Sequence, residues 1–238
     1  MSDLTVVLSC EHATNRVPES LASLFVGEQP LLDSHRGFDP GAVELAESFA
    51  RQVGAPLECS QVTRLIVDLN RSEYHPALFS RFTGSLHPET RQAILDKYYR
   101  PFRDRMFRRV EAAIEETGCV VHLSIHTFTP VLDGNVRRAD VGLLYDPSRQ
   151  GESSLARSWK ESLEKLEPQL VIRLNYPYRG TADGHVTALR SRFDAERYLG
   201  LELEINQRHV FGPRDEWQRL QEDLIRTFCA LVGKQGVG

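Results

Sequence analysis

Short apolar runs alternate with amphipathic stretches along this chain, and that alternation restricts its fold more than any other feature. Residues 4–9 are a β-branched apolar run of strand length, and residues 42–50, entered through Pro40 and Gly41, repeat their apolar positions at helical spacing. Residues 57–59 read as a short strand and residues 64–69, centred on Leu65-Ile66-Val67, as a buried one. Pro88 and Glu89 open a helical stretch that reaches Glu116 and stops at Gly118; Pro101, inside it, should kink or split it near Tyr99-Arg100. Residues 119–125 are the clearest central strand, and residues 141–145, 170–174 and 201–205 are three more, with helices over 153–166 and 215–232. Repeated strand–helix alternation specifies an α/β fold, three layers α/β/α around a mixed, largely parallel sheet. In such sheets a ligand binds beyond the carboxyl ends of the strands.

The chain has 238 residues, enough for one full core, so a single domain over 1–238 is expected. Its 41% hydrophobic and 26% charged residues are ordinary globular usage, and a net charge of −4 gives no basic footprint for nucleic acid and no pull towards an anionic membrane. The start, Met1 to Leu4, runs straight into a strand with no signal-peptide pattern, and no apolar run approaches the ~18 residues of a membrane span. Cys10, Cys59, Cys119 and Cys229 are scattered in or beside apolar segments with no C-x-x-C pair, as expected of buried thiols in a reducing cytoplasm.

Four polar residues fall at or just past strand ends: His12, Asn70, Arg71 and His126. Arg71 has no solvent face to occupy, and a guanidinium beside an amide suits a two-point grip on a carboxylate, so Asn70 and Arg71 should hold a small anionic molecule. His12 and His126 are candidate metal ligands, whereas His122, two residues before Ser124 on the same strand face, reads as a satisfied core histidine. A catalytic metal takes about three protein ligands and keeps one position open. For the third, Asp39 competes with Glu11; Asp39 is equally placed to cap the helix after it, and Glu11 should point away from His12. Glu202 and Glu204 share one face of their strand. If that face lines the cleft, Glu204 is the group to move a proton and Asn206 one to orient a substrate carbonyl; if it faces solvent, both are harmless. Arg64 and Arg179 are further cations able to hold an anion, although each alone also reads as a surface charge.

These strings together resemble the N-formylglutamate amidohydrolase family: Ser9-Cys10-Glu11-His12-Ala13 with Asn15-Arg16-Val17-Pro18, then residues 35–42, 64–71, 124–128 and Glu204-Ile205-Asn206. The likeness extends, more distantly, to zinc carboxypeptidases, aspartoacylases and zinc-dependent N-acetylmuramoyl-L-alanine amidases. It implies a phosphorylase/hydrolase-like α/β fold, one zinc ion at His12, Asp39 and His126, and hydrolysis of N-formyl-L-glutamate to formate and glutamate, with Glu204 as proton shuttle. Asn70 and Arg71 would then hold the α-carboxylate, with Arg64 or Arg179 near the side-chain carboxylate. One position departs from the carboxypeptidase and aspartoacylase pattern His-x-x-Glu, because Asn15 stands where the glutamate would be. The amidases, which take their glutamate from further along the chain, make Asp39 its substitute. Two other readings are compatible with the same residues: a hydrolase of another linear amide, such as an N-acyl aspartate or a peptidoglycan stem, and a non-catalytic binder of anionic amino acid derivatives.

Overall fold

In the computed structural model, which describes residues 4–233, six strands make one sheet between two layers of helix. Met1 to Asp3, which the sequence reading ran into the first strand, lie outside the described residues. The elements are β1 (Thr5–Cys10), α1 (Gln29–Leu32), α2 (Ala42–Val53), β2 (Leu57–Cys59), α3 (Pro88–Ile94), α4 (Arg100–Thr117) and β3 (Val120–Phe128). A small hairpin follows, β4 (Val131–Leu132) and β5 (Asn135–Val136), then β6 (Val141–Leu144), α5 (Gln150–Leu166), β7 (Ile172–Leu174) and α6 (His185–Arg190). The chain closes through β8 (Tyr198–Asn206), α7 (Gln207–Val210) and α8 (Arg214–Val232).

The sheet order is β2-β1-β3-β8-β6-β7. All neighbours are parallel except β6 and β8, so the sheet is mixed and largely parallel, as the alternation required. β3 is buried along all nine of its residues because helices cover both faces. On one face α2, α5 and α8 pack around Phe49, Trp159 and Phe228, whose rings sit 4.8–6.3 Å apart. Each such side chain, fully buried, stabilises the fold by roughly 1.5–3 kcal/mol. On the other face Phe102, Met106 and Val110 of α4 pack against Val7, Val120 and Tyr198.

Pro101 acts where expected. Leu95–Tyr99, just before it, is a π-helical turn between α3 and α4, the usual accommodation of a missing N–H inside a helix. Gly118 then ends α4 at φ +84°, a backbone conformation open to glycine without strain.

Residues 64–69 are not a strand. Leu65-Ile66-Val67 is buried, but its polar backbone is satisfied by turns and side chains: Ile66 N–H donates to the Thr63 carbonyl, and the Thr83 hydroxyl donates to that of Ile66. An apolar run signals burial, and here local turns took the place of a ladder.

A candidate metal and substrate site

The parallel register carries the site. Ser9 of β1 stands beside Ser124 of β3, Ser124 beside Glu202 of β8, and His126 beside Glu204. β1 ends at Cys10, so Glu11 and His12 emerge at the same carboxyl edge. Gly142 of β6 faces Glu204 across the antiparallel pair; a Cβ on it would lie 1.8 Å from the Tyr176 carbonyl oxygen, so only glycine lets that loop close over the sheet end.

These ends open into a cleft of about 180 Å³ lined by His12, Asp39, Asn70, Arg71, His126 and Glu204, with Arg64, Arg179 and Glu202 also on its wall. His12 and His126, 114 positions apart in the sequence, stand edge to face with ring centroids 5.0 Å apart. Asp39 Oδ2 lies 3.2 Å from His12 Nδ1 and 2.9 Å from His126 Nδ1. The ligating atoms of the three residues all fall within 4.8 Å of one another. Asp39 is thus no helix cap: the N-cap of α2 is Gly41, and the Asp39 side chain turns to the histidines.

The opposite nitrogen of each histidine is backed by a buried carboxylate. His12 Nε2 is 2.7 Å from Asp68 Oδ1, and His126 Nε2 is 3.3 Å from Glu11 Oε2 and 2.9 Å from Ser124 Oγ. Two imidazoles that turn Nδ1 to one carboxylate, with an acceptor behind each Nε2, are a two-histidine, one-carboxylate set that could hold a metal ion. Glu11 stands behind His126, on the side away from Asp39, and is not in the His12, Asp39 and His126 cluster. Asn15 turns away to Asp33, 2.7 Å distant, so the position of the missing glutamate takes no part.

Charge follows the geometry. Burial opposes ionisation of Asp39, yet His12 and His126 hold its carboxyl below the usual range. Burial likewise works against Asp68 and Glu11, and Arg64 and His12 on the former, His126 on the latter, hold them well below it. Burial opposes a charge on His126 too, but Asp39 and Glu11 raise its pKa well above the ordinary value. Glu204 behaves oppositely: burial, with the charges of Asp39 and Glu202 beside it, pushes its carboxyl up to about 8 against the pull of His126. Its Oε2 is buried with no hydrogen-bond partner among the described residues. β8 lies between β3 and β6, so the acidic face of Glu202 and Glu204 is interior and lines the cleft.

The arginines divide. Arg64, on the cleft wall, pairs with the protein's own charges, 2.8 Å from Asp68 Oδ2 and 3.5 Å from Asp39 Oδ1. Arg71 donates to the Asp183 carbonyl at 3.3 Å, and among the described residues neither it nor Arg179 forms an ion pair. The segment bearing Asn70 and Arg71 is fastened from below: Tyr99 Oη donates to the Arg71 carbonyl at 2.7 Å, and Arg103 to that of Leu69 at 3.0 Å. Asn70 Oδ1 accepts the His185 N–H at 2.7 Å, which leaves its amide NH2 facing His126 and Glu202. Asn206 is not part of the cleft. Its Oδ1 caps α7 by accepting the Arg208 N–H, and its NH2 is spent on the carbonyls of Arg137 and Ala139. His122 is the satisfied core histidine expected, between Tyr198 Oη and Ser9 Oγ. The residues that sequence reasoning missed are Asp68 and Glu11 as supports. Asp68 stood in plain view beside Asn70 and Arg71, but only the three-dimensional approach of His12 gives it a role.

A family model described as N-formylglutamate amidohydrolase matches residues 4–211. The structure of gene product Atu2144 from Agrobacterium tumefaciens is 27% identical with a TM-score of 0.81, over 96% of this chain and 90% of that one. The structure of N-formylglutamate amidohydrolase from Ralstonia eutropha JMP134 is 20% identical with a TM-score of 0.71, over 98% and 94%. No curated protein matches the chain. Among the described residues no helix is long and apolar enough to cross a membrane.

Proposed function

Because this chain belongs to the N-formylglutamate amidohydrolase family, and is an amide-bond hydrolase, we propose that it is a zinc-dependent hydrolase of N-formyl-L-glutamate, releasing formate and L-glutamate. The observation that carries the reading is the Asp39 carboxylate set between the Nδ1 atoms of His12 and His126, with the partnerless Glu204 oxygen on the same cleft. His12, Asp39 and His126 would hold the zinc ion, which would supply Lewis acidity for the amide carbonyl and the attacking water.

The chain's own residues do the rest. Arg71 and Arg179, cations on the cleft wall without ion-pair partners among the described residues, hold the substrate's two carboxylates, and Asn70 offers its NH2 beside them. Glu204 takes a proton from the attacking water as its oxygen bonds to the formyl carbon. The same carboxyl then returns the proton to the amine nitrogen as the C–N bond breaks, so formate and the amino acid leave with atoms and charge balanced. Burial raises the proton affinity of this carboxyl to about 8, so its ionised form takes a proton readily and holds it for the amine.

The test pairs elemental analysis with formate release from a panel of N-formyl, N-acetyl and N-acyl-aspartate substrates. Near one equivalent of zinc, activity lost on chelation and restored by zinc, and preference for N-formyl-L-glutamate are expected. Turnover indifferent to chelation would remove the metal, and preference for another amide would reassign the substrate.

A further inference from the structure

Beneath the site, a chain of buried polar groups crosses from β8 to β1 and back to β3. Tyr198 Oη is 2.7 Å from His122 Nδ1, His122 Nε2 is 2.8 Å from Ser9 Oγ, and Ser9 Oγ is 2.6 Å from Glu11 Oε1. From the other side Ser124 Oγ is 2.7 Å from Glu11 Oε2 and 2.9 Å from His126 Nε2. Every member is buried: His122, Ser9, Ser124 and Tyr198 are 0% exposed and Glu11 is 1%. Tyr198, His122, Ser9, Glu11 and Ser124 do not line the cleft, so the protons between Tyr198 and Glu11 are shared out among these atoms.

An ionised carboxylate only accepts, and each serine has one proton to give. Ser9 and Ser124 must therefore both spend their protons on Glu11. Ser9 Oγ is left to accept, so His122 carries its proton on Nε2 and takes the Tyr198 hydroxyl proton at Nδ1. Ser124 Oγ is left to accept as well, so His126 also carries its proton on Nε2, shared with Glu11 Oε2. We propose that Glu11 is the positioning residue of the site: by accepting from both serines it fixes the proton on Nε2 of His122 and holds one on Nε2 of His126, and so makes His126 Nδ1, turned to Asp39, the ring nitrogen left for a metal to take. The proposal rests on the reading of His126 as a metal ligand, and it goes further by assigning why only one nitrogen of that ring can serve.

The experiment uses the full chain with isotope-labelled histidines and reads ring tautomers by nitrogen NMR, beside zinc affinity by competition with a chelator. In the wild type, His122 should be a single tautomer protonated on Nε2, with or without zinc. Glu11→Gln keeps the shape but brings its own donor, so His122 should shift towards Nδ1 protonation and zinc affinity should fall by about 10–100-fold, the usual effect of losing a support behind a ligand. A wild-type His122 protonated on Nδ1 overturns the proposal, as does a Glu11→Gln protein that binds zinc as tightly as wild type with both tautomers unchanged. Should that variant not fold, Ser9→Ala separates His122 from Glu11 with the charge intact. His122 should then become a mixture of tautomers while zinc stays tight, and an unchanged His122 overturns the chain of protons. Neither readout needs substrate. A wild type that takes up no zinc sinks the metal reading of the cleft, and the His122 tautomer still decides the role of Glu11.

Discussion

Glu204 stands beside His126 in the register of β3 and β8, and its Oε2 is buried without a hydrogen-bond partner among the described residues. Native structures rarely leave a carboxylate oxygen so placed, because its desolvation is uncompensated; where they do, a reaction commonly uses the group. Glu204→Gln keeps the volume and removes the proton transfer. It should lower kcat by about 10²–10⁴-fold while KM stays within roughly threefold of wild type. Its melting temperature at neutral pH should stay close to wild type, since burial already holds Glu204 mostly as the neutral acid, which the amide matches in shape and charge. A raised KM with kcat preserved would make Glu204 a binding group.

Arg71 and Arg179 should behave differently from Glu204. If both hold carboxylates equally in the ground and transition states, Arg71→Ala should raise KM by about 10–100-fold with little change in kcat, matching roughly 1.5–3 kcal/mol for a hydrogen bond to a charged group. Arg179→Ala should act in the same direction. Arg179 is exposed at the mouth, where water screens its charge, so its effect should be the smaller. Steady-state kinetics on N-formyl-L-glutamate separate the two, and a loss confined to kcat in either variant would contradict this assignment.

Gly142 gives a structural prediction. A methyl there would press on the Tyr176 carbonyl oxygen and come within 3.2 Å of Glu204 Cβ. Gly142→Ala should destabilise the protein by about 1–3 kcal/mol or more, as overpacking does, and displace Glu204 from the cleft. Thermal melting should fall together with activity; an alanine variant with wild-type melting would show that the loop moves aside freely.

What the sequence made legible follows from what periodicity reports. Period two put His122, Ser124 and His126 on one face, and they lie so. It put Glu202, Glu204 and Asn206 on one face too, but a face has no depth: the first two line the cleft, and Asn206, at the strand's last residue, turns to cap α7. The hydrophobicity of Leu65-Ile66-Val67 foretold burial but not a ladder, because turns and hydroxyl donors satisfy backbone as well as a strand does. Arg64 looked free to meet a ligand because nothing local shows that Asp39, 25 positions earlier, comes to 3.5 Å. Glu11 was weighed as a ligand from its place next to His12, whereas its partners Ser124 and His126 come from β3. Contacts between neighbouring strands decide such roles, and a sequence carries them only implicitly.

The last prediction concerns acid. His122 is fully buried, and burial lowers its pKa to about 4; burial and Arg103 also hold His185 well below the ordinary value. An unfolded chain protonates such a histidine near pH 6.5, the folded one only near 4, so between these values the unfolded state binds the extra proton and acid favours unfolding. The contribution is full above 6.5, is lost as pH falls through the window, and levels off below 4. In wild type the slope is partly masked, because Glu204, with its carboxyl raised to about 8 by burial, holds a proton that the unfolded chain releases from about 4.5 upwards, which tilts stability the other way. Comparison with His122→Gln cancels that opposing slope. The stability gap between the two proteins, from urea unfolding at constant ionic strength, should narrow by roughly 2–3 kcal/mol from pH 7 to 4.5, at about 1.4 kcal/mol per pKa unit. A gap that stays constant over that range would mean His122 is protonated in the folded protein, and the polar chain beneath the site would then need a different distribution of charge.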